Sequence, residues 1–335
     1  MKIAFFELFK SEQDILEKFF SDYDISYSGE KLTIENVNLY KEVEIISVFT
    51  NSVINKEIID LLPNLKFINT SSTGYDHIDI AYCVEKGIKV SNVPSYGSIT
   101  VAEFTFGLLL SLSRKIIKAN SQLRQDDSFN IIPLRGFDLR GKTLGVVGTG
   151  RIGKNVIKIA KGFGMNVIAC NTSIDKALET ELGFSYKSFP EIISESDIIT
   201  IHVPYSKENL HLINKENISK MKKGVYLINT ARGELVDTEA LIWGLKEGII
   251  AGAGLDVLEG ERDLKEEIKV LSNPHVENPK DYKILLEDHV LIDMPNVIVT
   301  PHVAFYSKEA EEEIVKTTEE NIKGFISGNL QNLIK

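Results

Sequence analysis

The stretch Thr143–Asn171, TLGVVGTGRIGKNVIKIAKGFGMNVIACN, decides the fold of this 335-residue chain. A short apolar run precedes three glycines, Gly148, Gly150 and Gly153, and a segment with apolar residues at helical spacing follows them. In a strand–turn–helix unit, G-x-G-x-x-G predicts a tight turn, a close approach of the backbone to a pyrophosphate, and close packing of helix on strand. The helix would present free backbone N–H groups to the phosphate oxygens. The stretch therefore indicates a dinucleotide-binding unit.

The second strand of this unit ends in Asn171, where NAD-binding proteins usually have an acidic residue that accepts hydrogen bonds from the ribose. An amide still accepts a hydrogen bond, but it does not repel a 2′-phosphate as a carboxylate does. No arginine follows directly to bind such a phosphate, although Asp175 and Lys176 bring one charge of each sign nearby. These residues favour NAD as the cofactor and leave NADP as the alternative.

Short apolar runs alternate with helix-period segments along most of the chain, which is typical of parallel α/β sheets. The runs of the first hundred residues are KIAFF, VEIISVF, LKFINTS and IKVSNVP. The later runs are TLGVVG, NVIAC, DIITIHVP, GVYLINT, IIAGAGLDV and NVIVTPH, six strands as in a dinucleotide-binding domain. Between the two series, residues 100–124 carry apolar side chains at the spacing of one long helix.

Length and composition restrict the function classes. A chain of 335 residues is long enough for two domains. Its net charge of −10 argues against nucleic acid or an anionic membrane as a partner, and no apolar stretch approaches the length of a membrane span. The N-terminal apolar run is too short for a signal peptide, and Cys83 and Cys170 lie far apart in the sequence. These features predict a cytoplasmic protein with two inert thiols.

Reduction of a carbonyl by a nicotinamide needs a cation that polarises the substrate, an acid that donates a proton, and a group that holds the acid in place. In open α/β sheets such groups collect beyond the carboxyl ends of the strands. Two histidines, His202 and His302, have this position, and so does Arg232, whose planar fork matches a carboxylate. The other four histidines do not: His77, His211, His275 and His289.

The residues alone do not decide which carboxylate would hold the acid, because Glu259 and Glu261 both follow the strand that ends in GLDV. No histidine–carboxylate cluster has the spacing of a catalytic zinc site, so we expect no metal.

Seven motifs, in order along essentially the whole chain, resemble those of the D-2-hydroxyacid dehydrogenases, and within that family the D-lactate dehydrogenases are most similar. The motifs are SSTGYDHID, VPSYGSITVAEFTFGLLL, GVVGTGRIG, HVPYSKEN, VYLINTARGELVD, GLDVLEGE and VTPHVAFY. The resemblance implies two doubly wound parallel-sheet domains with the active site in the cleft between them. A flavodoxin-like substrate domain would comprise residues 1–99 and 303–335, and a Rossmann-type NAD-binding domain residues 100–302. The family also implies a homodimer, with the contact expected at the helix near Thr100.

The resemblance also implies roles for single residues. Arg232 would bind the substrate carboxylate and polarise the keto oxygen, and the backbone amides of Thr73 and Gly74 would complete the carboxylate site. His302 would be the general acid in reduction and the base in oxidation, and Glu261 would pair with it and favour its imidazolium form. The implied cofactor site comprises Gly148, Gly150, Arg151, Ile152, Gly153, Asn171, Val203, Pro204, Thr230, Ala231 and Asp256, the last of which would hold the nicotinamide carboxamide.

Two aromatic residues and one long segment point to the substrate. Tyr96 and Phe305 match positions that surround the substrate methyl group in D-lactate dehydrogenases, although one methylene group changes substrate preference by only roughly 1–3 kcal/mol. The segment between Glu261 and His302 is long, as in the D-lactate dehydrogenases. One motif departs from the family pattern, since YGSIT stands where YSP is usual. These features predict reversible, NADH-dependent reduction of pyruvate to D-lactate.

Two alternatives remain. One is a dehydrogenase that acts on another 2-keto acid: hydroxypyruvate, glyoxylate or a branched-chain keto acid. The other is a dinucleotide-sensing scaffold similar to transcriptional corepressors. No partner-docking extension is recognisable in this sequence, which argues against the scaffold.

Overall fold

The structure is a computed structural model that describes residues 1–261, 264 and 279–334. The chain divides into two compact units, a first unit of Met1–Tyr96 with Tyr306–Lys335 and a second unit of Gly97–Phe305. Within the described residues, the first unit has one parallel sheet of five strands and the second unit one parallel sheet of seven strands. The predicted pair of parallel-sheet α/β domains is therefore confirmed. Among the described residues, no helix has the length and apolar character that crossing a membrane requires.

The strands are β1 (Lys2–Phe5), β2 (Asp24–Tyr27), β3 (Ile45–Val48), β4 (Phe67–Thr70), β5 (Lys89–Ser91), β6 (Thr143–Val147), β7 (Asn166–Cys170), β8 (Ser185–Tyr186), β9 (Ile198–Ile201), β10 (Val225–Asn229), β11 (Ile250–Leu255) and β12 (Val297–Val299). The α-helices in the described residues are α1 (Lys10–Phe19), α2 (Lys56–Asp60), α3 (Ile80–Glu85), α4 (Ser98–Ser113), α5 (Ile116–Asp126), α6 (Arg151–Gly162), α7 (Lys176–Leu182), α8 (Phe189–Glu195), α9 (Lys215–Ser219), α10 (Thr238–Lys246), α11 (Pro279–Asp293) and α12 (Lys308–Ser327).

The sheet of the first unit has the strand order β2-β1-β3-β4-β5. This is the flavodoxin-like order, and β3 and β4 are buried at every position, as expected for strands covered on both faces. The C-terminal helix α12 returns to this sheet, where Phe325 stacks on Phe67 with ring centroids 4.6 Å apart. Through this contact the C-terminal helix packs on the first unit, to which the last thirty residues belong.

The sheet of the second unit has the order β12-β11-β10-β9-β6-β7-β8. The strand order reverses between β6 and β9, and at such a point the loops at the carboxyl ends diverge and leave room for a ligand. The sequence predicted six strands here. The seventh, β8, has only two residues, paired with Ile168 and Ala169 of β7, and a run that short has no periodicity to detect.

The single long helix predicted over residues 100–124 is wrong. Lys115 has a left-handed backbone with φ of 56°, and it separates α4 from α5. Half of α4 is buried in the second unit, whereas α5 has no buried residue. Apolar spacing continues across the break, so periodicity alone does not reveal it.

Candidate active site

The glycine-rich turn joins β6 to α6. Gly148 has φ of 99°, and a Cβ atom there would lie 2.7 Å from the carbonyl oxygen of His202. A Cβ atom on Gly153 would lie 2.0 Å from the carbonyl oxygen of Gly148. At Gly150, by contrast, no heavy atom of the described chain lies within 4 Å of a Cβ position. Contacts within the protein thus require the first and third glycines, and the second leaves space at the N-terminus of α6 that suits a phosphate.

A tyrosine outside the predicted site residues, Tyr186, supports this turn. The hydroxyl of Tyr186, on β8, lies 2.9 Å from Oγ1 of Thr149, which stands between Gly148 and Gly150. The Tyr186 ring also packs edge-on against the buried Phe184, with centroids 4.9 Å apart. No sequence motif marks Tyr186, because only the pairing of β8 with β7 brings it to the turn.

Asn171 follows β7 at the same edge of the sheet. Its Nδ2 donates to the carbonyl oxygen of Ser173 at 2.9 Å and lies 3.2 Å from Oγ of that residue. Because the carbonyl oxygen can only accept, this contact sets the amide orientation and leaves Oδ1 as the group that Asn171 can offer to a ligand. Asp175 caps α7 by accepting from the N–H of Leu178, and Lys176 pairs with Glu179 at 2.6 Å.

His302 pairs with Glu261. Nδ1 of His302 lies 2.9 and 3.1 Å from the two carboxylate oxygens, and both side chains are partly buried. Glu259, which the residues alone left as an equal candidate, faces elsewhere: its Oε1 lies 2.6 Å from Nε2 of His211, and its Oε2 accepts from the hydroxyl of Thr238. The structure therefore places Glu261, and not Glu259, at His302.

Asp256 holds the turn that carries His302. Its buried carboxylate accepts hydrogen bonds from the hydroxyl of Thr300 at 2.5 Å and from the N–H groups of Val303 and Ala304 at 3.0 and 2.8 Å. Burial raises the pKa of Asp256, and these three hydrogen bonds act in the opposite direction. The turn gives His302 a left-handed backbone with φ of 55°. The contact with a nicotinamide carboxamide that the resemblance implies for Asp256 stays a prediction.

Arg232 follows β10 in a turn that one side chain ties together. Oδ1 of Asn229 accepts from the N–H of Ala231 at 3.0 Å, and its Nδ2 donates to the carbonyl oxygen of Arg232 at 2.8 Å. The next residue, Gly233, lies directly against the chain that leads to Glu261, since a Cβ atom there would lie 2.1 Å from the carbonyl group of Leu258. Arg232, Glu261 and His302 thus follow the carboxyl ends of the neighbouring strands β10, β11 and β12.

The other histidine at a strand end has a different environment. Nε2 of His202 lies 2.8 Å from Oγ1 of Thr200, and its Nδ1 is buried with no hydrogen-bond partner in the described chain. Burial lowers the pKa of His202 to about 3, so the ring is neutral at physiological pH. The backbone of His202 lies against Gly148. Of the remaining histidines, His77 is buried in the first unit beside Thr70, and His275 lies outside the described residues.

The remaining residues predicted at the cofactor also lie beside carboxyl ends of the second sheet: Arg151 and Ile152 begin α6, Val203 and Pro204 follow β9, and Thr230 and Ala231 follow β10.

Among the residues expected at the substrate, Phe305 presents its ring edge-on to the His302 imidazole, with centroids 6.4 Å apart. Thr73, Gly74 and Tyr96 belong to the first unit. There, Thr73 donates to the carbonyl oxygen of Val93 at 2.9 Å and accepts from Nδ2 of Asn92 at 2.8 Å, so the turn is held firmly. The roles of these residues stay predictions.

Comparison with known proteins identifies the family. Residues 106–304 match the family model described as D-isomer specific 2-hydroxyacid dehydrogenase, NAD binding domain. The chain is 37% identical over 334 residues to 2-hydroxyacid dehydrogenase homolog 1 of Schizosaccharomyces pombe, with 98% of this chain and 97% of that protein covered. It is 40% identical over 300 residues to an aromatic 2-oxoacid reductase of Clostridium sporogenes, with 88% and 87% covered.

Solved structures show the same relationship. A D-lactate dehydrogenase of Aquifex aeolicus, complexed with NAD and lactic acid, superposes with a TM-score of 0.88 at 35% identity, with 98% of this chain and 96% of that chain covered. The family model alone covers more than half of the chain, and these two relatives and the solved structure extend over most or nearly all of it. The chain therefore belongs to the D-isomer-specific 2-hydroxyacid dehydrogenases.

Proposed function

We propose that this oxidoreductase catalyses the reversible, NADH-dependent reduction of pyruvate to D-lactate. The observation that carries the proposal is the His302–Glu261 pair. Glu261 follows β11, which lies between β12, the strand before His302, and β10, the strand before Arg232. When bound, the nicotinamide supplies the hydride or accepts it. The similarity to a D-lactate dehydrogenase over nearly the whole chain supports the choice of substrate.

In this proposal each of the three residues has a separate task. The guanidinium of Arg232 binds the carboxylate of the keto acid and polarises the keto oxygen, for which its planar fork is suited. Because Glu261 engages Nδ1 of His302, Nε2 is the nitrogen that exchanges a proton with the substrate oxygen. Glu261 holds the ring in one orientation and stabilises the imidazolium that donates in the direction of reduction.

A panel of keto acids tests the substrate. With NADH, we expect kcat/KM to be highest for pyruvate, followed by glyoxylate, hydroxypyruvate and 4-methyl-2-oxopentanoate. Phenylpyruvate belongs in the panel because the chain is 40% identical to an aromatic 2-oxoacid reductase. A higher kcat/KM for phenylpyruvate would contradict the pyruvate assignment, and no turnover of any keto acid would contradict the proposed enzyme.

The variant Phe305→Ala sharpens this panel, because it opens space beside the His302 ring. We expect it to raise the ratio of kcat/KM for phenylpyruvate to kcat/KM for pyruvate about 10-fold. A change in the apolar contacts of a substrate pocket typically alters substrate preference by this amount.

We also propose NAD as the cofactor. Asn171 offers an acceptor, which suits a ribose hydroxyl and does not suit a phosphate, and Lys176 is paired with Glu179. Initial rates should therefore be higher with NADH than with NADPH, and Asn171→Asp should increase that preference about 10-fold or more by charge repulsion. Lys176→Ala is the matched control and should leave the ratio unchanged. A preference for NADPH in the unmodified protein would overturn the assignment.

A homodimer is proposed from the exposed apolar residues of the second unit. The helix α4 near Thr100, where the contact was expected from the sequence, is half buried within its own unit. The segment after α5 instead exposes 85% of Phe129 and 83% of Ile132, and α5 itself exposes Ile116, Ile117 and Leu123. Exposed apolar residues this frequent within one short segment are typical of a protein interface. We therefore place the contact between copies on α5 and the segment after it.

Light scattering after size exclusion measures the oligomeric state. The unmodified protein should have twice the chain mass of 37.5 kDa, and Phe129→Ser combined with Ile132→Ser should reduce it to one chain. Leu39→Ser, at an equally exposed leucine of the first unit, is the control and should leave the dimer intact. A monomer at micromolar concentration in the unmodified protein would exclude the proposal.

The two cysteines fit a reducing compartment. Both thiols are free, and burial raises the pKa of Cys83 and of Cys170 to about 11, which keeps them protonated and unreactive. On this basis we infer a cytoplasmic location.

A further inference from the structure

One buried carboxyl group lies beside the candidate active site and has no part in the roles above. Asp288, on α11, is fully buried. Its Oδ2 accepts a hydrogen bond from the N–H of Gly260 at 3.1 Å, and its Oδ1 has no hydrogen-bond partner in the described chain. Gly260 directly precedes Glu261, so Asp288 binds the backbone next to the residue that holds His302.

The contact between Gly260 and α11 is tight. A Cβ atom on Gly260 would lie 2.7 Å from Oδ2 of Asp288 and 2.8 Å from Cγ2 of Ile284. The backbone of the Glu261 turn therefore lies directly on the helix, with no side chain between them. A hydrogen bond at this point restrains the position of the peptide on which Glu261 depends.

We propose that Asp288 is a positioning residue for the acid–base pair: it holds the backbone at Gly260 and thereby fixes Glu261 against Nδ1 of His302. The proposal rests on the proposed function, in which His302 exchanges the proton. None of the seven sequence motifs includes Asp288, which lies on α11 between GLDVLEGE and VTPHVAFY.

The charge state of Asp288 agrees with this role. Burial raises its pKa to about 7, and the nearby Glu259 and Glu287 act in the same direction, while the Gly260 N–H and His289 oppose them. Near neutral pH a large fraction of the group is therefore a neutral acid. A neutral carboxyl still accepts the N–H of Gly260.

Three variants separate positioning from simple packing: Asp288→Asn, Asp288→Leu and Glu261→Gln. The asparagine keeps an acceptor for Gly260, so kcat on pyruvate should stay within about 3-fold of the unmodified enzyme. The leucine keeps the branched shape, with bulkier methyl groups, but loses the acceptor, and kcat should fall about 10- to 100-fold, as for other residues that orient a functional group. In the leucine variant the KM for NADH should stay unchanged.

The double variant Asp288→Leu with Glu261→Gln decides the question. If Asp288 acts through Glu261, the double variant should be no slower than Glu261→Gln alone. Multiplied losses, or an Asp288→Leu enzyme with unchanged kcat, would overturn the proposal. If the leucine variant does not fold by circular dichroism, Asp288→Ser, whose hydroxyl is too short to reach Gly260, is judged by the same criteria.

A readout without turnover distinguishes this proposal from the proposed function. In ¹⁵N-histidine spectra, with His302→Gln used for assignment, the unmodified protein should show His302 held with the proton on Nδ1. Asp288→Leu should lose that preference, and Asp288→Asn should keep it. An unchanged His302 signal in the leucine variant would refute the positioning role whether or not pyruvate is the substrate.

Discussion

Arg232→Ala is expected to lower kcat/KM for pyruvate about 1,000-fold, the loss typical of removing a group that stabilises developing charge on a substrate oxygen. The guanidinium is the cation that the turn after β10 presents, and Asn229 and Gly233 hold that turn in place. Initial rates across pyruvate concentrations measure the effect. The variant should bind NADH as the unmodified protein does, as followed by the fluorescence of the reduced nicotinamide.

Arg232→Lys is the matched control for charge. Lysine keeps the positive charge but loses the planar fork that binds both oxygens of a carboxylate, so we expect an intermediate loss of about 10- to 100-fold. Turnover of pyruvate that survives Arg232→Ala would show that another cation binds the keto acid, and the assigned role would be wrong.

His302→Gln is expected to reduce kcat about 100- to 10,000-fold, the contribution of a positioned general acid. The amide keeps much of the shape of the imidazole but cannot donate a proton to an alkoxide. Because oxidation of D-lactate needs the same group as a base, both directions should lose activity to a similar extent. Initial rates in the two directions, at saturating nicotinamide, measure this.

A second histidine–glutamate pair in the same unit provides the control. His211 lies 2.6 Å from Glu259, much as His302 lies near Glu261, but it is outside the turn that Asp256 holds. His211→Gln should therefore leave kcat within about twofold, since a partly exposed ion pair of this kind contributes little on its own. Equal losses in the two variants would remove the distinction between the two pairs.

The glycine-rich turn was predictable from the sequence because its requirements are local. Gly148 needs a left-handed backbone, and Gly153 lies against the carbonyl of Gly148, only five residues away. The strand-then-helix context around them is equally local. Any residue with a Cβ atom at either position would collide with the chain, so the pattern itself reports the structure.

Other features depended on contacts between distant parts of the chain. The choice between Glu259 and Glu261 came from which carboxylate reaches His302, a residue about forty positions later. Asp256 proved to hold the His302 turn, and Tyr186 the glycine-rich turn, through hydrogen bonds that no spacing rule encodes. The left-handed Lys115, which ends α4, also has no signature in the apolar spacing.

The sequence by itself determined two parallel α/β units, the phosphate-binding turn and the strand ends at which Arg232 and His302 stand. These follow from hydrophobic periodicity and from the steric limits of glycine, both of which act within a few residues. Only the tertiary structure decided which carboxylate supports His302, where the long helix breaks, and which buried groups hold the loops of the site. Those outcomes depend on hydrogen bonds and burial between segments that are far apart in the chain, and such contacts exist only once the sheet has brought the segments together.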